Sequence, residues 1–146
     1  MKNLDREVED FLKRFEINAN VGSADEIVEQ FADVFMAADP SGARAVPSSK
    51  LLMAIPQRKK LFESAGGGAT GLVSVEQTRL DDRYVSLKTE WLMKFDRGSG
   101  PGDDLTLRST FVLYRSNDGL KIVFYLNHED LVSVLRERGS LLPDKS

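Results

Sequence analysis

Two side chains in this chain have the chemistry of a general base: Asp39, in the run Asp39-Pro40-Ser41-Gly42, and His128, the sole histidine. A carboxylate whose pKa is raised by burial can accept a proton at neutral pH, and an imidazole titrates there unaided. The plainer readings stand beside these. Asp before Pro is ordinary turn chemistry, and His128 can be an early residue of a C-terminal helix. Thr89, Trp91 and Ser109, joined by Gln77 and Arg79, set polar groups among large apolar ones, as a small-ligand pocket requires. Alternatively Thr89 and Ser109 satisfy each other and Trp91 is core.

Other chemistries lack their residues. With no cysteine there is no disulfide, thiolate zinc site or thiol nucleophile, and one histidine is too few for a transition-metal site. No metal or cofactor is expected. The pairs Asp81-Asp82 and Asp103-Asp104 lack the spacing of an EF-hand. Gly66-Gly67-Gly68-Ala69-Thr70-Gly71 matches G-x-G-x-x-G by letter, but a dinucleotide site needs a strand before it and a helix after it, and here the order is reversed. It reads as a loop. A serine-hydrolase elbow is absent, and Gly98-Ser99-Gly100 is loop composition.

The positioning elements follow from the pattern of apolar residues. Leu4, Val8, Phe11, Leu12 and Phe15 form one stripe of an amphipathic helix. Ser23-Ala24-Asp25-Glu26 has the form of a capping box. Ile27, Val28, Phe31, Val34 and Phe35 extend a second helix to the stop at Asp39-Pro40. Ser48 to Ala65 reads as two short helices, with Pro56 near the first turn of the second, and Gly66-Gly67-Gly68 ends helical structure. From Leu72 the period becomes two. Strands are predicted over Leu72 to Leu80, Tyr84 to Phe95, Leu107 to Leu113 and Leu120 to Leu126. Asp81-Asp82-Arg83, a glycine-rich loop over 96–104 and Asn117-Asp118-Gly119 connect them. The alternation of Ile122, Phe124 and Leu126 points His128 inward. Asn127 to Asp130 caps a short final helix closed by Gly139.

The expected architecture is α+β: N-terminal helices packed on a curved antiparallel sheet of about four strands, as a single domain over residues 1–146. Val112, Tyr114, Val123 and Tyr125 fall on the side of the sheet turned away from the helices. An apolar patch there suggests a partner, and a homodimer through it is the expectation, the alternative being that a bent sheet or the C-terminal helix covers those residues.

This element order resembles the nuclear transport factor 2-like superfamily, a cystatin-like cone that includes ketosteroid isomerase and polyketide cyclase-like proteins. The resemblance rests on Lys13-Arg14-Phe15 through Ile27 to Asp33 and Ala38-Asp39-Pro40-Ser41-Gly42, and on the closing hairpin from Asn117 to Tyr125. It implies a conical fold with a pocket between helices and sheet. It also implies that the isomerase's general base corresponds to Asp39. The isomerase's oxyanion donors fail to carry over. The tyrosine of its first helix corresponds to Phe15, which has no hydroxyl, and its neutral aspartic acid falls near Val112, between Phe111 and Leu113. Loss of one such donor costs on the order of 10²–10³ in rate.

The expected function is therefore a dimeric domain that binds a small organic ligand without catalysis. One alternative is an isomerase, dehydratase or cyclase-type lyase using Asp39 or His128. The other is an interaction module working through the outer sheet face. The net charge of −3 offers nucleic acid no general attraction, so Arg58-Lys59-Lys60 reads as a solvated face. No apolar run approaches the ~20 residues of a membrane span, and the charged start is not a signal peptide. A soluble, cytoplasmic protein with no nucleic-acid or membrane partner is expected.

Overall fold

The apolar stripe of the N-terminal segment forms α1 (Lys2–Val21), which buries Val8, Phe11 and Leu12 in the core. The computed structural model describes residues 2–64, 67–95 and 104–129. At the end of α1 the Gly22 amide still donates to the Asn18 carbonyl, and a Cβ at Gly22 would lie 2.6 Å from Asn18 Cα, so the close turn that follows requires glycine. Ser23 then caps α2 (Ala24–Val28). Its Oγ accepts the Glu26 amide while the Glu26 carboxylate accepts the Ser23 amide, closing the predicted capping box.

The second helix stops far earlier than its apolar spacing predicts. After Val28 the chain turns and continues as β1 (Phe31–Asp39), then β2 (Gly42–Pro47). Phe31 and Phe35 are both buried, but a spacing of four fits one side of a strand as well as one stripe of a helix. Two observations explain the outcome. Phe31, Val34 and Phe35 favour the pleated surface. Gln30 is also buried and tied on three sides, donating to the Phe11 carbonyl, accepting from Asn18 Nδ2, and accepting the Ile122 amide at its backbone oxygen. Asp39-Pro40-Ser41-Gly42 is the turn between β1 and β2, with residue types suited to each position of a type I turn.

A 3-10 turn (Ser48–Lys50) leads into α3 (Leu51–Ser64), a single helix with Pro56 inside it rather than two short ones. The hydrogen bond that proline removes would reach the carbonyl of Leu52, whose surroundings are open to water, so the helix continues past it. β3 (Gly67–Asp81), β4 (Tyr84–Phe95), β5 (Leu105–Ser116) and β6 (Gly119–Asn127) complete the described chain. β3 takes in most of the glycine-rich stretch that reads as a loop. The hairpin after Ser116 has Gly119 at φ 110°, as its Asn-Asp-Gly sequence predicts.

The sheet has six strands, not about four, in the order β2-β1-β6-β5-β4-β3. It is mixed rather than antiparallel, because β1 runs parallel to β6. The predicted final helix and most of the 96–104 loop lie outside the described residues. Among those described, no helix is long and apolar enough to cross a membrane.

Helices cover one face of the sheet. There Val85, Leu87, Phe111, Leu113 and Ile122 are completely buried. Phe15 of α1 is surrounded by aromatic rings, with centroids 5.1 Å from Phe111, 5.9 Å from Trp91 and 6.5 Å from Phe31.

Candidate functional site

The inner face gathers three of the predicted ligand contacts. Thr89 on β4 stands opposite Ser109 on β5, two residues before Trp91. All three are buried. Trp91 Nε1 donates to Thr89 Oγ1 at 2.8 Å, Thr89 Oγ1 donates to the Ser109 carbonyl at 2.8 Å, and the two hydroxyl oxygens lie 2.9 Å apart. A hydroxyl has one donor and two acceptor lone pairs. With the Thr89 proton committed to the carbonyl, Ser109 must supply the proton between the hydroxyls. All three donors are therefore occupied, and Ser109 Oγ keeps only acceptor capacity.

Gln77 and Arg79 do not join this group. They sit on β3 at the open edge of the sheet, both exposed, with Arg79 paired to Asp82 at 2.9 Å. Nearer the start of β3, α1 reaches over the edge. Asn20 exchanges two 2.8 Å hydrogen bonds with the Thr70 backbone, and Glu16 accepts the Leu72 amide. These side chains stand in for a neighbouring strand and protect that part of the edge from pairing with another chain.

Asp39 and His128 come to the same end of the sheet, because the parallel pairing of β1 with β6 ends at Ala38 opposite Leu126. They lie on opposite faces. Asp39 accepts the Ser41 amide at 2.8 Å and the Ser41 hydroxyl at 2.5 Å. These bonds favour the ionised form and hold its pKa below the ordinary 3.8, the reverse of what a base working at neutral pH requires. His128 is exposed, with Nε2 2.7 Å from Thr110 Oγ1 and its amide donating to the Arg108 carbonyl.

The inward placement of His128 fails for an identifiable reason. Val112 pairs with Phe124 but Leu113 pairs with Ile122, so Val123 is an extra residue in β6. Such a bulge reverses the alternation beyond it. Phe124, Leu126 and His128 move to the outer face. Tyr125 moves inside, its ring 4.8 Å from Phe111 and 6.0 Å from Phe31. Tyr125 thus leaves the predicted outer patch, where Val112 and Tyr114 remain. The five consecutive apolar residues from Ile122 to Leu126 are the sequence signal for this, since strict alternation would have placed polar residues among them. The inner pair Asn18 and Gln30 carried no comparable signal.

Among the described residues, no three His, Asp or Glu side chains converge as a metal site would need. Comparison with known proteins settles the fold. No family model and no curated protein matches the sequence. Solved structures do. Aln2 from Streptomyces superposes with a TM-score of 0.72 at 14% identity, over 92% of this chain and 96% of that one. An NTF-2 like protein of unknown function from Shewanella oneidensis gives 0.67 at 16% identity, over 86% and 98%. A protein from Novosphingobium aromaticivorans described as NTF2-like with a cystatin-like fold gives 0.67 at 14%, over 90% and 87%. The chain has the nuclear transport factor 2-like, cystatin-like fold. Identities this low establish the architecture alone, because this fold hosts unrelated activities. In the nuclear transport factor 2-like cone of this protein, Phe15 packs inside among aromatic rings. Phe111 and Leu113, which flank the position expected for the isomerase's second donor, also point inward and are fully buried.

Proposed function

We propose that this protein is a non-catalytic binding domain that works as a homodimer joined through the outer face of its sheet. One observation carries the reading: a continuous apolar row crosses four strands on that face, from Ala45 on β2 through Met36 on β1 and Phe124 on β6 to Val112 on β5. Val34, Ala38, Ala43 and Leu126 flank it, with Val34 59% and Met36 39% exposed. A contiguous apolar surface partly open to water, rather than scattered single residues, is what marks an interaction face. Tyr84 and Tyr114, with ring centroids 5.1 Å apart, continue it toward one end. Sedimentation velocity on the purified chain tests this. Wild type is expected to run at twice the chain mass, and Phe124→Glu at the chain mass with an unchanged circular dichroism spectrum. A monomeric wild type at micromolar concentration overturns the reading.

The inner face favours a second role, binding of a small organic ligand. Its support is the interior lined by Phe15, Phe31, Trp91, Phe111 and Tyr125 around the Thr89–Ser109 pair. Because the donors of Trp91, Thr89 and Ser109 are engaged with one another, a ligand there would be held by ring packing rather than by hydrogen bonds from this trio. Native mass spectrometry followed by a denaturing run identifies any co-purifying molecule. Release of a small apolar compound supports this role, and repeated empty spectra count against it. An isomerase, dehydratase or lyase acting through Asp39 or His128 gains no support from their placement on opposite faces or from the lowered Asp39 pKa.

A further inference from the structure

α3 combines two features that the charge run alone does not disclose. Between Ser48 and Ser64 there are four cations, Lys50, Arg58, Lys59 and Lys60, against one carboxylate, Glu63. None of the four has an ion-pair partner among the described residues, whereas Arg79, Arg108 and Arg115 are each paired with a carboxylate. As a bare charge run they would be a solvated face. Yet Leu52 and Met53 on the same helix are 42% and 72% exposed, and Pro56 is exposed beside them. Helical spacing places Leu52, Pro56, Lys59 and Glu63 along one face, with Met53 and Lys60 next to it. Leu51, Ile55 and Leu61 are the half-buried residues, and α3 packs against α2 and β3. The apolar residues are thus exposed and flanked by lysines.

We infer that this free face of α3 docks on an anionic lipid surface. The composition distinguishes this occupant from others. Three of the four cations are lysines, whose flexible stems lie along apolar material while the ammonium reaches the headgroups. Recognition of individual phosphates favours the planar fork of arginine, of which there is one. α3 has one aromatic residue, Phe62, whereas a platform for successive bases stacks them on several. In a chain of net charge −3 the attraction must be local to α3, so it is peripheral, reversible and sensitive to salt.

Flotation with vesicles tests the inference. The purified full chain is mixed with pure phosphatidylcholine vesicles, or with vesicles containing about 30% phosphatidylserine. The chain is expected to float with the anionic vesicles only. Raising the salt from roughly 50 to roughly 300 mM should reduce the bound fraction several-fold. The double variant Lys59→Glu/Lys60→Glu is expected to lose binding about tenfold or more. Met53→Ser, which leaves the charge unchanged, should lose part of it, a result that separates insertion of apolar groups from charge attraction alone. All three positions are exposed, so circular dichroism should be unaltered. Failure of the wild type to float with anionic vesicles, or flotation that survives the double charge reversal, overturns the inference. Binding to soluble polyglutamate with no vesicle binding also overturns it and assigns the face to an acidic protein.

Discussion

The two faces of one sheet are built from alternate residues of the same strands, and they differ in nearly every physical respect. On the inner face Val85, Leu87, Phe111, Leu113 and Ile122 are fully buried, and the polar atoms of Thr89, Ser109 and Trp91 are hydrogen-bonded to one another. On the outer face Val112, Phe124, Leu126 and Met36 are equally apolar but remain half-buried or exposed, and the hydroxyl of Thr110 meets an exposed His128. The inner face has the organisation of a core, and the outer face is an apolar surface left partly open to water. Along β6 the residue that apportions side chains between them is Val123, whose insertion places Tyr125 inside and Phe124 outside.

Substitutions at adjacent positions should separate the faces most sharply along β5. Phe111→Ala is expected to cost about 3–5 kcal/mol in denaturant unfolding, because it removes a fully buried ring from the aromatic cluster. Val112→Ala, one residue on, should cost about 1 kcal/mol or less in the monomer. Equal losses at the two positions would break the distinction between core and surface. The paired hydroxyls form the next contrast. Thr89→Val leaves Trp91 Nε1 and Ser109 without their shared partner and is expected to cost about 1–3 kcal/mol. Thr110→Val should change stability by no more than roughly 0.5 kcal/mol, since its partner is open to water.

The smallest effect belongs to Asp39, at the end of the sheet where the faces meet. Its bonds from Ser41 lower the folded-state pKa below the ordinary 3.8. The stabilisation is therefore present above the unfolded value and is lost as pH falls through the lower folded value. A carbon-detected NMR titration should place the Asp39 midpoint below 3.8. The stability difference between wild type and Asp39→Asn should shrink as the solution is acidified through that range. A midpoint at or above the ordinary value would remove the Ser41 bonds from the account and reopen Asp39 as a proton acceptor.

Much of the fold was legible because it depends on local signals. Ser23 and Glu26 specify a helix start through their own backbone contacts, and Asn117-Asp118-Gly119 specifies a hairpin in which Gly119 takes the positive φ. Alternation along β4 and β5 correctly placed Thr89, Trp91 and Ser109 together on the buried side. The extent of the second helix is not legible because Phe31 and Phe35 lie four apart, a spacing that helix and strand both accommodate. The deciding contacts come from Phe11, Asn18 and Ile122, residues at least twelve positions away from Gln30. The same holds for β2, whose exposed residues carry no periodic signal and which exists as a strand because β1 is there to pair with it.

By itself the sequence determined the α+β composition, the caps and hairpin turns, the buried side of β4 and β5, and the absence of thiol chemistry. Each follows from a residue's own conformational preference or from the period of a short segment. Only the tertiary structure decided that Phe31 to Asp39 is a strand, that β1 joins β6 in parallel, and that a bulge at Val123 sends His128 outward and Tyr125 inward. These outcomes depend on hydrogen bonds and packing between segments remote in sequence. A one-residue shift in register reverses every side chain beyond it while leaving the local pattern nearly unchanged.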